Sequence, residues 1–362
     1  MTCRAATSVG MFLLTLIVAG CASIGSTTLP RDRVDYMTAV GDSWKEQTLL
    51  NIVRIRYGDA PSFLDVSSVI SAYAIQGQIS AGGQVSSDLT NTIPRNTLTF
   101  GGNATYLDRP TITYTPLAGD KFAKSLLRPI PPSAIFELVQ AGYPADRVLQ
   151  LTVRAINGVY NRSSIGGRVR DADPPFYRLI EALRRLQLSG AVSLRLESHG
   201  GEETGTLIFS ERRPQEVEDD LQYVAKTLGI RLGNNRELTL AFGSVPRGDQ
   251  EMAVLSRSMI EILLEIAAGI DVPSAHVSEG RTGPAGRRGD AQNPYDRPLI
   301  AIRSGDKPPA DAFAAVNYRH AWYWIGDDDL ASKGGFTFLM LFFSLAETGV
   351  TPQAPVLTVP AN

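Results

Sequence analysis

The sequence has few of the side chains that most often hold metal ions or cofactors. Its 362 residues include only two cysteines, Cys3 and Cys21, and three histidines. The histidines lie at positions 199, 276 and 320, and no pair of them has the spacing of a zinc knuckle or of a helical metal site. A phosphate-binding loop and a dinucleotide-binding glycine pattern are also lacking. We therefore expect no bound metal ion and no cofactor.

A complete catalytic triad is lacking as well. The block Gly41-Asp42-Ser43 is similar to the nucleophile block of GDS-type lipases, which also need an aspartate three residues before a late histidine. Leu196, Pro273 and Asn317 stand at that position before the three histidines. The sequence therefore predicts no nucleophilic hydrolase. A glycan- or peptidoglycan-active enzyme stays an alternative, because its paired carboxylates cannot be found from spacing alone.

The chain has neither an excess of charge nor a long apolar run. Lys and Arg number 35 against 37 Asp and Glu, so no basic surface is expected for nucleic acid. A hydrophobic fraction of 43% with 20% charged residues is typical of one large or two modest globular domains. The most apolar runs, Met11–Val18 and residues 336–345, are too short to span a bilayer.

The first residues form a targeting signal. Arg4 precedes the apolar run, which ends in Val18-Ala19-Gly20-Cys21, the pattern of a bacterial lipobox. We expect residues 1–20 to be removed and Cys21 to carry a diacylglycerol and a palmitate-type acyl chain, which together would anchor the protein to a membrane. Ala22 and Ser23 follow instead of an aspartate, which favours the outer membrane and leaves the leaflet open. The alternative is an ordinary signal peptide that ends near a cysteine.

The periodicity of the mature chain predicts an α+β fold with mixed or antiparallel sheets and packed helices. We expect a helix over 35–57, a helix opened by Pro144 that continues to Val159, and a helix over Gln250–Ala268. We expect strands at Pro298–Arg303, at Phe313–Ile325 with a turn near Arg319-His320, and at Pro355–Pro360. Residues 174–270 read as one α-β-β-α-β-α unit. The predicted organisation is a signal peptide (1–20), a lipidated tether (21–34), a helix, long hairpin and proline-punctuated helices (35–160), the α-β-β-α-β-α unit (174–270), a flexible loop (271–296), and C-terminal strands with a buried helix (297–362).

Residues 76–115 are unusually poor in charge and rich in Thr, Ser, Gly, Asn and Gln. Two alternating runs, Ile75–Val85 and Thr97–Thr115, flank a turn-rich centre that ends at Pro94. This pattern predicts a long, weakly hydrophobic β-hairpin with Ile, Leu, Phe and Tyr on one face and Gly, Ser, Thr and Asn on the other.

Two neighbouring motifs near the C-terminus are candidate binding residues. Trp322, Tyr323 and Trp324 belong to an aromatic strand, which either stacks on a ligand or buries one of its faces. Asp327, Asp328 and Asp329 form the densest carboxylate cluster. This cluster either holds a hard cation or turns the chain and caps the next helix, and we favour the cap.

Three stretches, Glu46–Tyr57 with its continuation to Ser68, Asp108–Leu117 with Pro129-Ile130-Pro131, and Tyr318–Phe336, resemble a group of proteobacterial outer-membrane lipoproteins. The resemblance spans most of the mature chain. It implies an envelope lipoprotein and supplies no activity or catalytic residue.

The leading hypothesis is therefore a non-enzymatic, lipid-anchored outer-membrane protein with a structural or assembly role in the cell envelope. Its expected partners are the membrane, through Cys21, and either further copies of itself or other envelope proteins. The main alternative is an oligomeric pore or ring of a secretion or export apparatus, because some lipoproteins pool hairpins from several subunits. The glycan- or peptidoglycan-active enzyme is the second alternative.

Overall fold

The computed structural model of the chain is α+β and divides into two units. The first unit contains residues up to Ser43 together with Leu64–Pro116, and the second contains Trp44–Phe63 and the chain from Leu117 onward. The structure describes residues 24–70, 73–84, 97–108, 111–164, 169–199, 202–210, 214–233, 236–284, 295 and 297–347. Cys21, the hairpin turn ending at Pro94 and the strand predicted at Pro355–Pro360 lie outside these residues.

Helix α1, Ile24–Arg56, is longer than the predicted helix over 35–57 and includes most of the segment predicted as a tether. Its part up to Ser43 belongs to the first unit and its last turns belong to the second. In those last turns Leu49, Ile52 and Val53 are fully buried. Three- and four-residue spacing of apolar side chains therefore gives this end of the helix a core-facing side.

The predicted hairpin is present as two antiparallel ribbons in one register. Ile70 pairs with Thr111 and Tyr73 pairs with Asp108. The second pair is three residues further along one strand and three residues earlier on the other, so both ribbons have the same pairing register. A register shift between Val66 and Ser68 marks a β-bulge near the base of the hairpin. The strands are β1 (Leu64–Ile70), β2 (Tyr73–Gln84), β3 (Thr97–Asp108) and β4 (Thr111–Pro116).

The second unit is built on a six-stranded sheet in the order β6-β5-β10-β9-β8-β7. Neighbouring strands are antiparallel except β9 and β10, which run parallel. One face of the sheet is packed, because Leu207, Leu238 and Leu240 are buried while Thr239 is exposed. Its strands are β5 (Val153–Ile156), β6 (Val159–Tyr160), β7 (Val192–His199), β8 (Glu202–Phe209), β9 (Glu237–Phe242) and β10 (Glu251–Ser256).

Helices and a smaller sheet complete this unit. Prolines precede several of the helices, as the sequence predicts, because a missing N–H costs nothing at a helix start. The helices are α2 (Gly119–Phe122) with a π-helical turn (Ala123–Leu127), α3 (Pro132–Gln140), α4 (Ala145–Thr152), α5 (Phe176–Leu188), α6 (Gln215–Leu228), α7 (Met259–Ala268), α8 (Ser274–Ser278) and α9 (Leu330–Glu347). The smaller sheet has three strands in the order β11-β13-β12, and these are β11 (Arg303–Gly305), β12 (Ala314–Tyr318) and β13 (Ala321–Ile325).

The helix predicted to run from Pro144 to Val159 is wrong in its second half. Helix α4 ends at Thr152, and the chain continues as the β5–β6 hairpin. Asn157 and Gly158 occupy the turn with φ of 45° and 78°, values that Asn and Gly tolerate best. The Asn-Gly pair is typical of a hairpin turn. The prediction missed it because the four-residue spacing of Ala155 and Val159 also fits a helix.

The helix predicted over Gln250–Ala268 is likewise wrong in its first half. Residues Glu251–Ser256 form β10, which pairs with β5 and β9 and is central in the sheet. Helix α7 starts after Ser258, where Ser258 and Glu261 form a reciprocal capping box. The helix-favouring residues of β10 therefore form a strand because they are buried between two pairing partners.

The order α-β-β-α-β predicted for 176–242 is confirmed by α5, β7, β8, α6 and β9. The sheet also takes in β5 and β6, so it joins the segment predicted as 35–160 to the segment predicted as 174–270. The strand predicted at Pro298–Arg303 is wrong, since the strand here is Arg303–Gly305. The strand pair with a turn at Arg319-His320 and the long C-terminal helix are confirmed.

Candidate functional site

The ribbon of β2 and β3 has two chemically different faces. Opposite residues of an antiparallel pair share a face, and alternate residues of a strand lie on opposite faces. The first face contains only apolar or small residues apart from Asp108 at its end. Its members are Tyr73, Ile75, Gly77, Ile79, Ala81 and Gly83 on β2, opposite Asp108, Tyr106, Ala104, Gly102, Phe100 and Leu98 on β3.

The second face is mostly amide, hydroxyl and glycine. Its members are Ala74, Gln76, Gln78, Ser80, Gly82 and Gln84, opposite Leu107, Thr105, Asn103, Gly101, Thr99 and Thr97. Gln78, Ser80, Asn103 and Thr105 are exposed to solvent. The register therefore agrees with the predicted division for the Ile, Phe, Tyr, Ser, Thr and Asn residues. The division is wrong for Leu107, which lies on the second face, and for Gly77, Gly83 and Gly102, which lie on the first.

The ribbon is nearly free of charge along a length that matches a bilayer. Each strand has 12 residues, or about 40 Å at the usual rise of a β-strand. A strand that crosses a bilayer at the usual tilt needs about 9–11 residues. Asp108, at the end of the pairing, is the only charged residue in the two strands.

The two outer edges of the ribbon have no strand beside them in the described part of the chain, where β2 and β3 pair only with each other. Natural proteins usually protect such edges with charges, proline or a bulge. Neither β2 nor β3 contains a proline or a lysine, and their register runs without a shift from Tyr73 to Gln84. These edges are therefore suited to accept a further strand.

The aromatic strand β13 buries one face, as its alternation predicts. Ala321, Tyr323 and Ile325 are buried, whereas Trp322 and Trp324 are half-buried. The six-membered ring of Trp324 packs closely on Gly305, where a Cβ would lie 3.1 Å from it and would require a small shift of the ring. The structure therefore places Tyr323 in the core and leaves the two tryptophans partly accessible on the other face.

Tyr323 belongs to a buried hydrogen-bond chain that the sequence did not indicate. The Tyr57 hydroxyl at the end of α1 bonds both the Tyr323 hydroxyl and Nδ1 of His276 on α8, the second at 2.5 Å. Burial, followed by the hydrogen bond to Tyr57, raises the pKa of Tyr323 above its usual range. The phenol therefore stays neutral and joins three distant segments of the second unit.

A charged group lies near this chain. Asp59 accepts hydrogen bonds from the Tyr318 hydroxyl and, at 2.9 Å, from Arg319. These two bonds, that of Tyr318 first, lower the pKa of Asp59. Arg319 and His320 form the β12–β13 turn with φ of 52° and 68°. Left-handed backbone costs a side chain such as arginine more than glycine, so the bond to Asp59 helps to hold the turn.

The acidic cluster caps helix α9. Asp329 precedes the helix and accepts a hydrogen bond from the Ser332 backbone N–H at 3.0 Å and another from the Ser332 hydroxyl at 2.6 Å. Burial alone would raise the pKa of Asp329, but the bonds from Ser332 outweigh it and lower the pKa. Asp327 pairs with Lys333 at 2.9 Å. Of the three aspartates, Asp329 therefore caps the first helical turn, and Asp327 forms an ion pair with Lys333 of that helix.

Two further observations concern metals and membranes. Among the described residues, no group of three or more His, Cys, Asp or Glu side chains is placed to hold a metal ion. In the same part of the chain, no helix has both the length and the apolar composition needed to cross a membrane.

Three cavities bounded by described residues bear on the enzyme alternative. Glycan hydrolysis needs two carboxyl groups facing each other across a cleft. One cavity has a single carboxylate in its lining, Glu265, and the other two have none. None of the three therefore supplies the pair.

Comparison with known proteins adds no relative. No protein-family model, no curated protein and no solved structure matches the chain.

Proposed function

We propose that the protein is a lipid-anchored outer-membrane protein whose Tyr73–Asp108 hairpin pairs with hairpins of other copies to form an oligomeric pore. The observation on which this proposal depends is the two-faced β2–β3 ribbon, which has no charge apart from Asp108 at its end and whose two edges are unpaired in the described part of the chain. A two-stranded ribbon is at best marginally stable alone in water. Neighbouring copies would pair its edges and lipid would cover its apolar face.

The apolar face is fuller than its sequence suggests. Read along β3 alone, it offers Leu98 and Phe100 and then small residues. The register adds Ile75 and Ile79 from β2, and it places Tyr106 opposite Ile75 near one end. Aromatic residues at the ends of an apolar band are typical of strands in membranes. This composition supports insertion of the ribbon with its amide and hydroxyl face toward water.

A further feature of the sequence supports the proposal. The lipobox Val18-Ala19-Gly20-Cys21 predicts an anchor at a membrane, where an inserting hairpin is needed. A structural lipoprotein without a pore would need the anchor but would give no reason for the absence of charge in β2 and β3.

Single cysteines test which face of the ribbon meets water. In the mature lipoprotein Cys21 is acylated, so an introduced cysteine is the only reactive thiol. We expect a water-soluble, charged thiol reagent to reduce the bilayer conductance of the detergent-extracted Gln78→Cys protein. The adjacent Ile79→Cys lies on the other face and serves as the matched control, and its conductance should not respond.

The contrary results are clear. A full-length protein that inserts but never conducts would contradict the pore, as would equal block of both cysteine variants. Particles of the native protein without a central opening in negative-stain images would contradict the ring.

A further inference from the structure

The second unit contains a small polar cavity of about 80 Å³ that is independent of the hairpin. Three arginines, Arg162, Arg257 and Arg297, contribute to its lining against one carboxylate, Glu265. A single water needs about 10–15 Å³ of such a cavity, so the space is sufficient for several waters or for a ligand of about five heavy atoms. The lining favours a negatively charged occupant.

Arg257 is the unusual member, because its charge is buried without a contact ion pair. The side chain is only 1% exposed. Its Nη1 donates to the carbonyl oxygens of Gln150 and Leu151 at 3.0 and 2.9 Å, and its Nη2 donates to that of Arg162 at 2.5 Å. Its Nε has no hydrogen-bond partner. A buried, unsatisfied donor on a charged group is costly, so an occupant that meets it would stabilise the site.

Glu265 does not compensate this charge fully. Its Oε2 lies 4.0 Å from Nη2 of Arg257, which is beyond hydrogen-bond distance. Its two oxygens instead accept from the backbone N–H and the hydroxyl of Ser164 at 2.7 and 3.0 Å. Glu265 therefore leaves the charge of Arg257 incompletely paired, and the exposed Arg297 adds a second positive charge to the lining.

A second unmet atom defines the chemistry more closely. Gln150 is 6% exposed, and its Nε2 donates to the carbonyl of Tyr295 at 3.1 Å, while its Oε1 has no partner. The unmet atoms in the lining thus include a donor, Nε of Arg257, and an acceptor, Oε1 of Gln150. A ligand with acceptor oxygens and one hydroxyl would satisfy both.

We propose that this cavity binds a small oxyanion that keeps one hydroxyl, namely hydrogen phosphate. Its charged oxygens accept from Arg257, with Arg297 contributing from the exposed mouth, and its P–OH donates to Gln150. Sulfate has a similar shape and charge but no proton to donate at neutral pH. The site should therefore distinguish the two anions.

The test is titration calorimetry and thermal melting of the detergent-extracted full chain with inorganic phosphate, sulfate and glycerol phosphate. We expect phosphate to bind and to raise the melting temperature, and sulfate to bind about tenfold more weakly or not at all. Glycerol phosphate, whose dianion keeps no P–OH at neutral pH, should bind as weakly as sulfate. Binding of inorganic phosphate alone would therefore support free hydrogen phosphate as the occupant.

Two variants separate the site from the fold. Gln150→Met keeps the side-chain length but removes the acceptor, and we expect it to abolish the preference for phosphate over sulfate. Arg297→Ala lies at the exposed mouth, and we expect about tenfold weaker binding. Arg231→Ala, an exposed arginine outside the cavity lining, is the control and should bind phosphate as the wild type does.

Three results would overturn the proposal. The first is a melting temperature unchanged by millimolar phosphate, which would mean that the cavity holds water only. The second is equal binding of phosphate and sulfate. The third is unchanged phosphate binding by Arg297→Ala together with an unchanged anion preference in Gln150→Met.

Discussion

The strands of the β2–β3 ribbon and those of the six-stranded sheet differ in how completely they are paired. In the sheet, the central strand β10 is paired on both sides, and Met252 and Val254 are buried. In the ribbon, each strand has one partner, and the residues Gln78, Ser80, Asn103 and Thr105 are exposed. The four inner strands of the sheet are thus paired on both sides within one chain, whereas both strands of the ribbon are edge strands in the described part of the chain.

This difference separates stability from function. Burial of apolar side chains, at about 25 cal/mol per Å², stabilises the second unit. The strands of the ribbon pair only with each other in the described part of the chain, so under the proposed function further pairing should come from copies of itself, with lipid on the apolar face. Changes in the sheet should therefore alter folding, and changes in the ribbon should alter assembly.

The largest effect should come from removing the ribbon. Replacement of Ser80–Thr105 by a short Gly-Ser linker should abolish oligomers and conductance, because the paired edges are gone. The second unit should keep its cooperative melt at an unchanged temperature, since its core residues lie elsewhere. Size-exclusion chromatography and calorimetry measure the two effects.

The deletion experiment has one control, membrane attachment, and one outcome that would contradict it. The variant should still fractionate with membranes, because the predicted anchor at Cys21 is intact. Loss of the cooperative melt would show that the ribbon belongs to the core, and both a pore and an interaction arm would then have to be abandoned.

The next largest effect compares Ile→Ala at a buried position of the second unit with Ile→Ala at an exposed position of the first unit. Ile180 on α5 is fully buried, and Ile180→Ala should lower the free energy of unfolding by about 2–5 kcal/mol. Ile112 on β4 is 41% exposed, and Ile112→Ala should change it by no more than about 0.5 kcal/mol. Urea unfolding of the two variants measures both values. Equal losses of unfolding free energy would mean that β4, at the base of the hairpin, is packed as tightly as the core side of α5.

The comparison also explains how much the sequence could predict. Hairpin strands are set by local alternation and the absence of charge, so both faces were predictable before their register was known. The strand β10 was not, because Glu251–Ser256 has helix-favouring residues and becomes a strand only through pairing with β5 and β9. Local signals were overlooked at Asn157-Gly158 and in the Ser258–Glu261 capping box.

The candidate sites differ in the same way. The cap at Asp329 follows from a carboxylate before an apolar helix, which is a local pattern. The Tyr57–His276–Tyr323 chain joins residues more than 200 positions apart. The surroundings of Arg257 depend on carbonyl groups about 100 residues away. No spacing in the sequence encodes such contacts, so only the packed chain reveals them.

The smallest effect concerns pH, and it should distinguish the regions once more. The hydrogen bonds from Tyr318 and Arg319 lower the pKa of Asp59 in the folded protein. A carboxyl group with a lowered folded pKa contributes stability above its unfolded pKa, near 4, and loses it as pH falls through the folded value. Asp59→Asn should therefore melt slightly below the wild type at pH 7, and the difference should vanish in acid.

An exposed aspartate of the ribbon base provides the control for this experiment. Asp65 lies on β1 and is exposed, so Asp65→Asn should leave the melting temperature of the second unit unchanged at every pH. Melting curves of the three proteins between acid and neutral pH decide the matter. A difference between Asp59→Asn and the wild type that grows toward acid would reverse the sign expected from the bonds of Tyr318 and Arg319, and the turn at Arg319-His320 would then have to be held by its packing rather than by this carboxylate.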